Sequence, residues 1–181
     1  MAKNKIDLVN RALVSIGATP IQGFNENTSE AIVLKESYDG IRDGLLSSYQ
    51  WRFAIKTKRL QLLNVDDKGL YNFSLPADCL RILKVNANQY QIHNNILITT
   101  TQNIEVDYIF RPEEENFPPY FDNVLVFRIC AEICLPLTDS TTRTEFLFRR
   151  YENEFKQARL VDASQEMNTN LDFNILTDVR L

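Results

Sequence analysis

One stretch of this chain, Tyr120 to Leu135, is apolar almost all the way round. Phe121, Val124, Leu125, Val126, Phe127, Ile129, Ala131 and Ile133 leave a helix there no polar face to turn toward water. Such a helix is stable only when neighbours enclose it. The chain must therefore wrap other elements around residues 120–135. Pro118-Pro119 introduces the helix, and Pro136 predicts its end or a kink. Arg128 and Glu132, four residues apart, have the spacing of a surface ion pair.

The enclosing elements are legible on both sides. Ile6, Val9, Leu13 and Ile16 predict a first helix over about 4–16, capped by Asn4 and closed by Gly17 with a positive φ. Asn27 with Glu30 three residues on reads as a capping box for a second helix. Leu34, Tyr38, Ile41 and Leu45 form its stripe, which runs to a bulky end at Trp51. Gly40 and Gly44 on this helix are either a close-contact face or two tolerated glycines. Asp139-Ser140-Thr141-Thr142 supplies capping residues for a fourth helix, and Thr142 with Glu145 fits a capping box. Its inward stripe is Phe148, Tyr151, Phe155 and Ala158. Arg143, Arg149, Arg150, Glu152, Glu154 and Lys156 cover its outer side.

Between the second and third helices the periodicity changes from helical to alternating. Tyr71, Phe73 and Leu75 alternate before Pro76. Tyr90–His93 and Ile96–Thr100 flank Asn94-Asn95, a pair suited to a two-residue hairpin turn because Asn tolerates φ > 0. Ile104, Val106, Tyr108 and Phe110 alternate again. Residues 54–111 thus predict a small antiparallel meander with one buried face. Arg111-Pro112 leaves it, and Glu113–Glu115 reads as a solvated loop. The expected fold class is α+β: a four-helix bundle with a small antiparallel β-sheet inserted between helices 2 and 3, and an extended C-terminal arm. The body is 1–53 with 112–163, the sheet 54–111 and the arm 164–181. The arm is polar to Asn170, and then Leu171, Phe173 and Ile175 alternate, followed by Leu176 and Val179. It either folds back on its own domain or docks as a strand on another subunit.

Composition narrows the chemistry. A chain of 181 residues can bury a full core without staples. A formal charge of −4 disfavours gripping a phosphate backbone. The one basic cluster, Arg52, Lys56, Lys58 and Arg59, reads first as a solvated face. No apolar run approaches bilayer length, and the amino terminus lacks the pattern of a signal peptide. His93 is the only histidine, and no nucleophile-elbow, phosphate-loop, dinucleotide or zinc-protease motif appears. Cys130 and Cys134, with Cys79 and His93, count to four possible zinc ligands. Two thiols on an apolar helix read first as packing residues. No catalytic, cofactor or metal residue is assigned, and no enzymatic activity is expected.

Several short motifs, taken in order, resemble the tail tubular protein A family, the head-to-tail adaptors of short-tailed phages. They are Ser15-Ile16-Gly17-Ala18-Thr19-Pro20-Ile21 at the end of the first helix and Trp51-Arg52-Phe53-Ala54 at the end of the second. Phe73-Ser74-Leu75-Pro76-Ala77-Asp78-Cys79-Leu80-Arg81 follows in the sheet, then Tyr108-Ile109 before Arg111-Pro112, and Phe117 and Phe121 before the apolar helix. The likeness spans residues 5–163. It implies a structural virion protein of the tail and neck, assembled in the host cytoplasm, that forms a dodecameric ring with itself. Such a ring would join the portal protein to the tail nozzle protein and leave a channel through which DNA passes without sequence-specific binding. It implies helical faces meeting neighbouring subunits (Arg143, Arg149, Arg150, Glu152 and Glu154 are the candidates). It also implies an arm reaching the portal, with Leu171, Phe173, Ile175, Leu176 and Val179 as its apolar residues. The competing readings are a DNA-binding accessory factor using the basic cluster and a small metal-dependent module.

Overall fold

Asn4 opens the first helix, α1 (Lys5–Ile16), with a reciprocal cap. Its side chain accepts from the Asp7 N–H, and the Asp7 carboxylate accepts from the Asn4 N–H. Gly17 closes α1 at φ 77°, in the left-handed region where a side chain would be strained. The structure is a computed structural model and describes residues 4–165. The proposed arm residues Leu171, Phe173, Ile175, Leu176 and Val179 lie outside the described residues. Helix α2 (Ser29–Ser48) is capped by Thr28, one residue later than the Asn27 expected, because the Thr28 hydroxyl accepts from the Ala31 N–H.

A 3₁₀ turn (Arg52–Ala54) leads into seven strands: β1 (Ile55–Arg59), β2 (Gln61–Val65), β3 (Tyr71–Ser74), β4 (Cys79–Val85), β5 (Tyr90–His93), β6 (Ile96–Thr99) and β7 (Glu105–Phe110). A second 3₁₀ turn (Glu114–Asn116) precedes α3 (Pro119–Thr138) and α4 (Thr141–Ser164). The expected four-helix bundle with one small inserted sheet is therefore overturned. The helices lie at both ends of the chain, and the strands between them form two antiparallel sheets, ordered β1-β7-β4 and β2-β3-β6-β5. The meander is broken as well, since the chain changes sheet at Leu60, whose N–H bonds the Ile104 carbonyl at 2.8 Å.

The reason lies near the end of β7, where Tyr108 and Ile109, on opposite faces, are both buried. Ile109 belongs to the helical core with Ala54, Leu45 and Phe121. Val106 and Tyr108 belong to a second core with Leu60, Phe73, Leu97 and Ile104. A strand buried on both faces needs a layer on each side. The three-stranded sheet is covered by helices on one face and by the four-stranded sheet on the other.

Helix α3 is the hub, buried along Phe121, Val124, Leu125, Ile129, Ile133 and Cys134, as its all-round apolarity requires. It runs through Pro136 rather than ending there. A proline in the last turn forfeits one bond, to the Glu132 carbonyl. The next carbonyls are taken by the Thr138 hydroxyl (to Cys134, 2.7 Å) and the Asp139 N–H (to Leu135, 3.0 Å). Asp139 ends the helix at φ 51°. Arg128 does pair with Glu132.

In the acidic exit from the sheet Glu113 and Glu115 are exposed, as expected, but Glu114 is half-buried. Glu114 accepts from the Tyr38 hydroxyl and the Arg42 guanidinium, each at 3.2 Å. Arg42 also bonds Asp43 at 3.0 Å, and Asp43 pairs with Arg111. Burial disfavours the Arg42 cation, but its bonds to Asp43 and Glu114 outweigh this and raise its pKa. This network fastens the end of β7 to α2.

The hairpin expected at Asn94-Asn95 forms, with φ of 46° and 63°. Asn95→Ala is expected to destabilise the protein by about 1 kcal/mol, and Asn95→Gly to be nearly neutral. Urea midpoints for the two variants check this.

Candidate functional site on the fourth helix

Helix α4 is capped by Ser140, whose hydroxyl accepts from the Arg143 N–H. This is two residues before the Thr142 expected. Its buried residues are few: Leu147, Ala158 and Asp162. Phe148, expected on the inward stripe, is 44% exposed, because Leu147 takes the inward position and is 6% exposed. Phe146 (61%), Leu160 (65%) and Val161 (45%) are exposed too. These exposed apolar groups make α4 the candidate interaction surface.

The two flanks of α4 differ. On one, α1, α3 and α4 enclose a groove of about 680 Å³. Val14, Val126 and Phe127 give it apolar walls, and Asp7, Arg11, Arg150 and Glu154 charged ones. The Arg150 guanidinium lies 5.0 Å from the centre of the Phe127 ring and 4.0 Å from the Glu154 carboxylate. Phe146 adjoins this groove beside Arg149 and Asn153. On the other flank Phe148 meets Thr144, Glu145 and Arg149. Its ring packs beside Tyr151, and Arg128 lies over both rings. There too the α2 glycines Gly40 and Gly44 leave a recess with Ile41 and Tyr151. A Cβ at either glycine would meet nothing within 4 Å. They do not bring another helix into close contact.

The five charged candidates do not form one face. Arg150 and Glu154 line the groove. Arg143 turns inward, donating to the Ile16 carbonyl at 3.0 Å, where a cation complements the carboxyl end of α1. Arg149 and Glu152 lie further round the exposed surface. Sequence reasoning missed the aromatic pair Phe146 and Phe148. The signal was there: Phe-Leu-Phe gives a helix three apolar residues in a row, which no single stripe can bury.

The remaining candidates have structural placements. Lys56 sits 3.5 Å from the centre of the Phe110 ring and 3.5 Å from Asp78, and Arg59 bonds Asn103. Lys56 and Lys58 lie opposite Tyr108 and Val106, so the edge strand β1 carries charge on its inner face. Inward charge of this kind protects an edge from pairing with another chain. His93 is exposed on β5. Cys130 donates to the Ala12 carbonyl at 3.5 Å, and Cys134 lies 3.4 Å from the Thr138 hydroxyl. Among the described residues no group of three or more His, Cys, Asp or Glu is gathered to hold a metal.

Burial pushes the Cys130 thiol up to about 11, from an ordinary value of 9.0. Burial and the Asp78 carboxylate push the Tyr108 phenol up to about 12. Both groups lose their protons earlier in the unfolded chain. Their contribution to stability is therefore complete below about pH 9 and declines as pH rises toward 11–12. The urea midpoint is expected to change little between pH 7 and 8.5 from these groups and to fall by pH 10. Cys130 should resist thiol reagents at pH 8 until the protein unfolds.

No family model and no curated protein matches the chain. Among the described residues, no helix is long and apolar enough to cross a membrane.

Proposed function

We propose that this chain is a structural subunit of a phage virion. It would be a head-to-tail adaptor whose copies stand side by side in a ring between the portal and the tail nozzle, leaving a channel for DNA. One observation carries the reading: α4 exposes an aromatic residue on each of two unlike flanks, Phe146 beside the charged groove and Phe148 beside the glycine recess. A ring needs two different, mutually complementary faces on every subunit, whereas a two-fold dimer needs one face that matches itself. The ordered motifs from Ser15 to Phe121 support the same reading through their likeness to the adaptor family. The net charge of −4 suits a channel wall that does not hold DNA.

Purified protein mixed with portal rings is expected to give ordered rings by electron microscopy. Phe146→Glu and Phe148→Glu should each abolish them without changing the circular dichroism spectrum. An equal mixture of the two variants should stop at a heterodimer, since it retains a single intact pair of faces. Rings from both single variants would refute the reading. A salt-sensitive DNA shift, lost on reversing Lys56, Lys58 and Arg59, would favour the DNA-binding alternative instead.

A further inference from the structure

The two sheets differ at their edges. The three-stranded sheet ends in β1 and β4, and both carry basic residues: Lys56, Lys58 and Arg59 on one, Arg81 and Lys84 on the other. The four-stranded sheet ends in β2 and β5. Neither contains Asp, Glu, Lys or Arg, nor do β3 and β6 between them. Every residue of β2 and β5 is exposed, and among the described residues each strand pairs on one side only. Charge guards the edges of one sheet against pairing and is missing from both edges of the other.

The register shows what fits these edges. Leu62, Phe73, Leu97 and Ile92 form one row across the sheet, and Val65, Tyr71, Thr99 and Tyr90 the next. Phe73, Leu97 and Thr99 are buried, whereas the ends of both rows are exposed: Leu62 (45%) and Val65 (48%) on β2, Ile92 (43%) and Tyr90 (44%) on β5. Each neighbouring pair of strands is antiparallel, so β2 and β5 run in opposite directions. A second sheet set beside the first in the same orientation therefore brings its β5 antiparallel to β2. Ile92 of one copy then lies against Leu62 of the other, and Tyr90 against Val65. Apolar cross-strand pairs of this kind stabilise a sheet.

We propose that the β2 edge takes β5 of a second copy of this chain, so that two four-stranded sheets join edge to edge. The unlike edges are selected over like ones by their geometry. Strand β2 has a register shift between Leu62 and Asn64, and β5 has none. Two copies of β2 would set bulge against bulge and break the ladder twice. Two copies of β5 would leave Leu62, Leu63 and Val65 in water. Joining β2 to β5 continues both apolar rows without a shift, and no like charges meet. A contact about four residues long is small and weak on its own. The inference goes beyond the adaptor reading, which concerns α4, and does not rest on it.

Sedimentation and amide hydrogen exchange on the full chain test it. No portal rings are present, so failure here leaves the adaptor reading standing. Over a rise of about a hundredfold in concentration, the wild-type chain should pass from monomer to larger species. The amides of β2 and β5 should slow together, by about tenfold, with β7 and α3 amides unchanged as the control for folding. Leu62→Lys and Ile92→Lys should each remove the association. An equal mixture of the two should regain it but stop at a heterodimer, since Ile92→Lys keeps an intact β2 edge and Leu62→Lys an intact β5 edge. The proposal is overturned if the wild type stays monomeric over that range. It is overturned equally if association survives in either Lys variant, which would mark like edges paired or a contact elsewhere. Slowing confined to one of the two strands overturns it as well.

Discussion

Replacing Trp51 with alanine is expected to lower the free energy of unfolding by about 4 kcal/mol, the upper range for removing a large aromatic from a core. Trp51 is fully buried at 0% exposure. Its ring lies 5.0–6.3 Å, centre to centre, from Tyr49, Phe121, Phe155, Tyr120 and Phe53. Those rings come from the end of α2, the 3₁₀ turn, α3 and α4. Its indole N–H donates to the Leu45 carbonyl at 3.1 Å, one of the groups left open at the end of α2. The variant leaves a cavity where these elements meet, and that carbonyl without its bond. Trp51→Phe keeps part of the ring contact and should lose about half as much. Chemical denaturation with fluorescence-independent detection (circular dichroism) measures both, since the only tryptophan is the one removed. A loss below about 1 kcal/mol for Trp51→Ala would show that the site collapses around the gap.

Asp162→Ala should destabilise the protein by about 3 kcal/mol, the scale for stripping one partner from a buried charged hydrogen-bond network. Asp162 is completely buried. Its two carboxylate oxygens accept from the Arg52 N–H at 3.2 Å, and one also accepts from the Tyr120 hydroxyl at 2.7 Å. Burial, followed by the hydrogen bond to Asp162, raises the Tyr120 pKa, so the phenol stays protonated and serves as the donor. The carboxylate thus ties the last turns of α4 to α3 and to the point where helix hands over to sheet. Asp162→Asn retains an acceptor oxygen and the volume, and should lose about 1–2 kcal/mol. Trp51 and Asp162 serve the same junction, so Trp51→Ala/Asp162→Ala should fall short of the sum of the two single losses. Equal losses for the Ala and Asn variants at Asp162 would place the effect in the charge that both remove rather than in packing, which Asn preserves.

Much of the helical layer was legible in the sequence. Asn4, Asp7 and Gly17 bound α1 by local hydrogen bonding and a positive φ, and local rules suffice there. Asn94-Asn95 set its hairpin for the same reason. The caps of α2 and α4 were misplaced by one or two residues, because Asn27 and Thr28, or Ser140 and Thr142, are equally able oxygen acceptors in sequence. Only the geometry of the entering chain selects between them. The surface of α4 was partly legible. Arg150 and Glu154 were named, but Phe148 was assigned to the core, since helical spacing cannot say which of Phe146, Leu147 and Phe148 points inward.

What the sequence determined by itself was the enclosure of α3, the positions of most turns and strands, and the absence of any familiar catalytic spacing. Those follow from periodicity and from local backbone preference, which act within a few residues. The division of seven strands into two sheets was decided only by tertiary structure. The alternation from Ile104 to Phe110 shows one apolar face, yet Ile109 on the other side is buried just as deeply. Burial of both faces depends on what lies above and below a strand, and that is set by elements as distant as α2 and β6. The exposure of Phe146 and Phe148 was settled in the same way. Leu147, held inward by packing against the helices beneath it, turned the residues on either side of it outward.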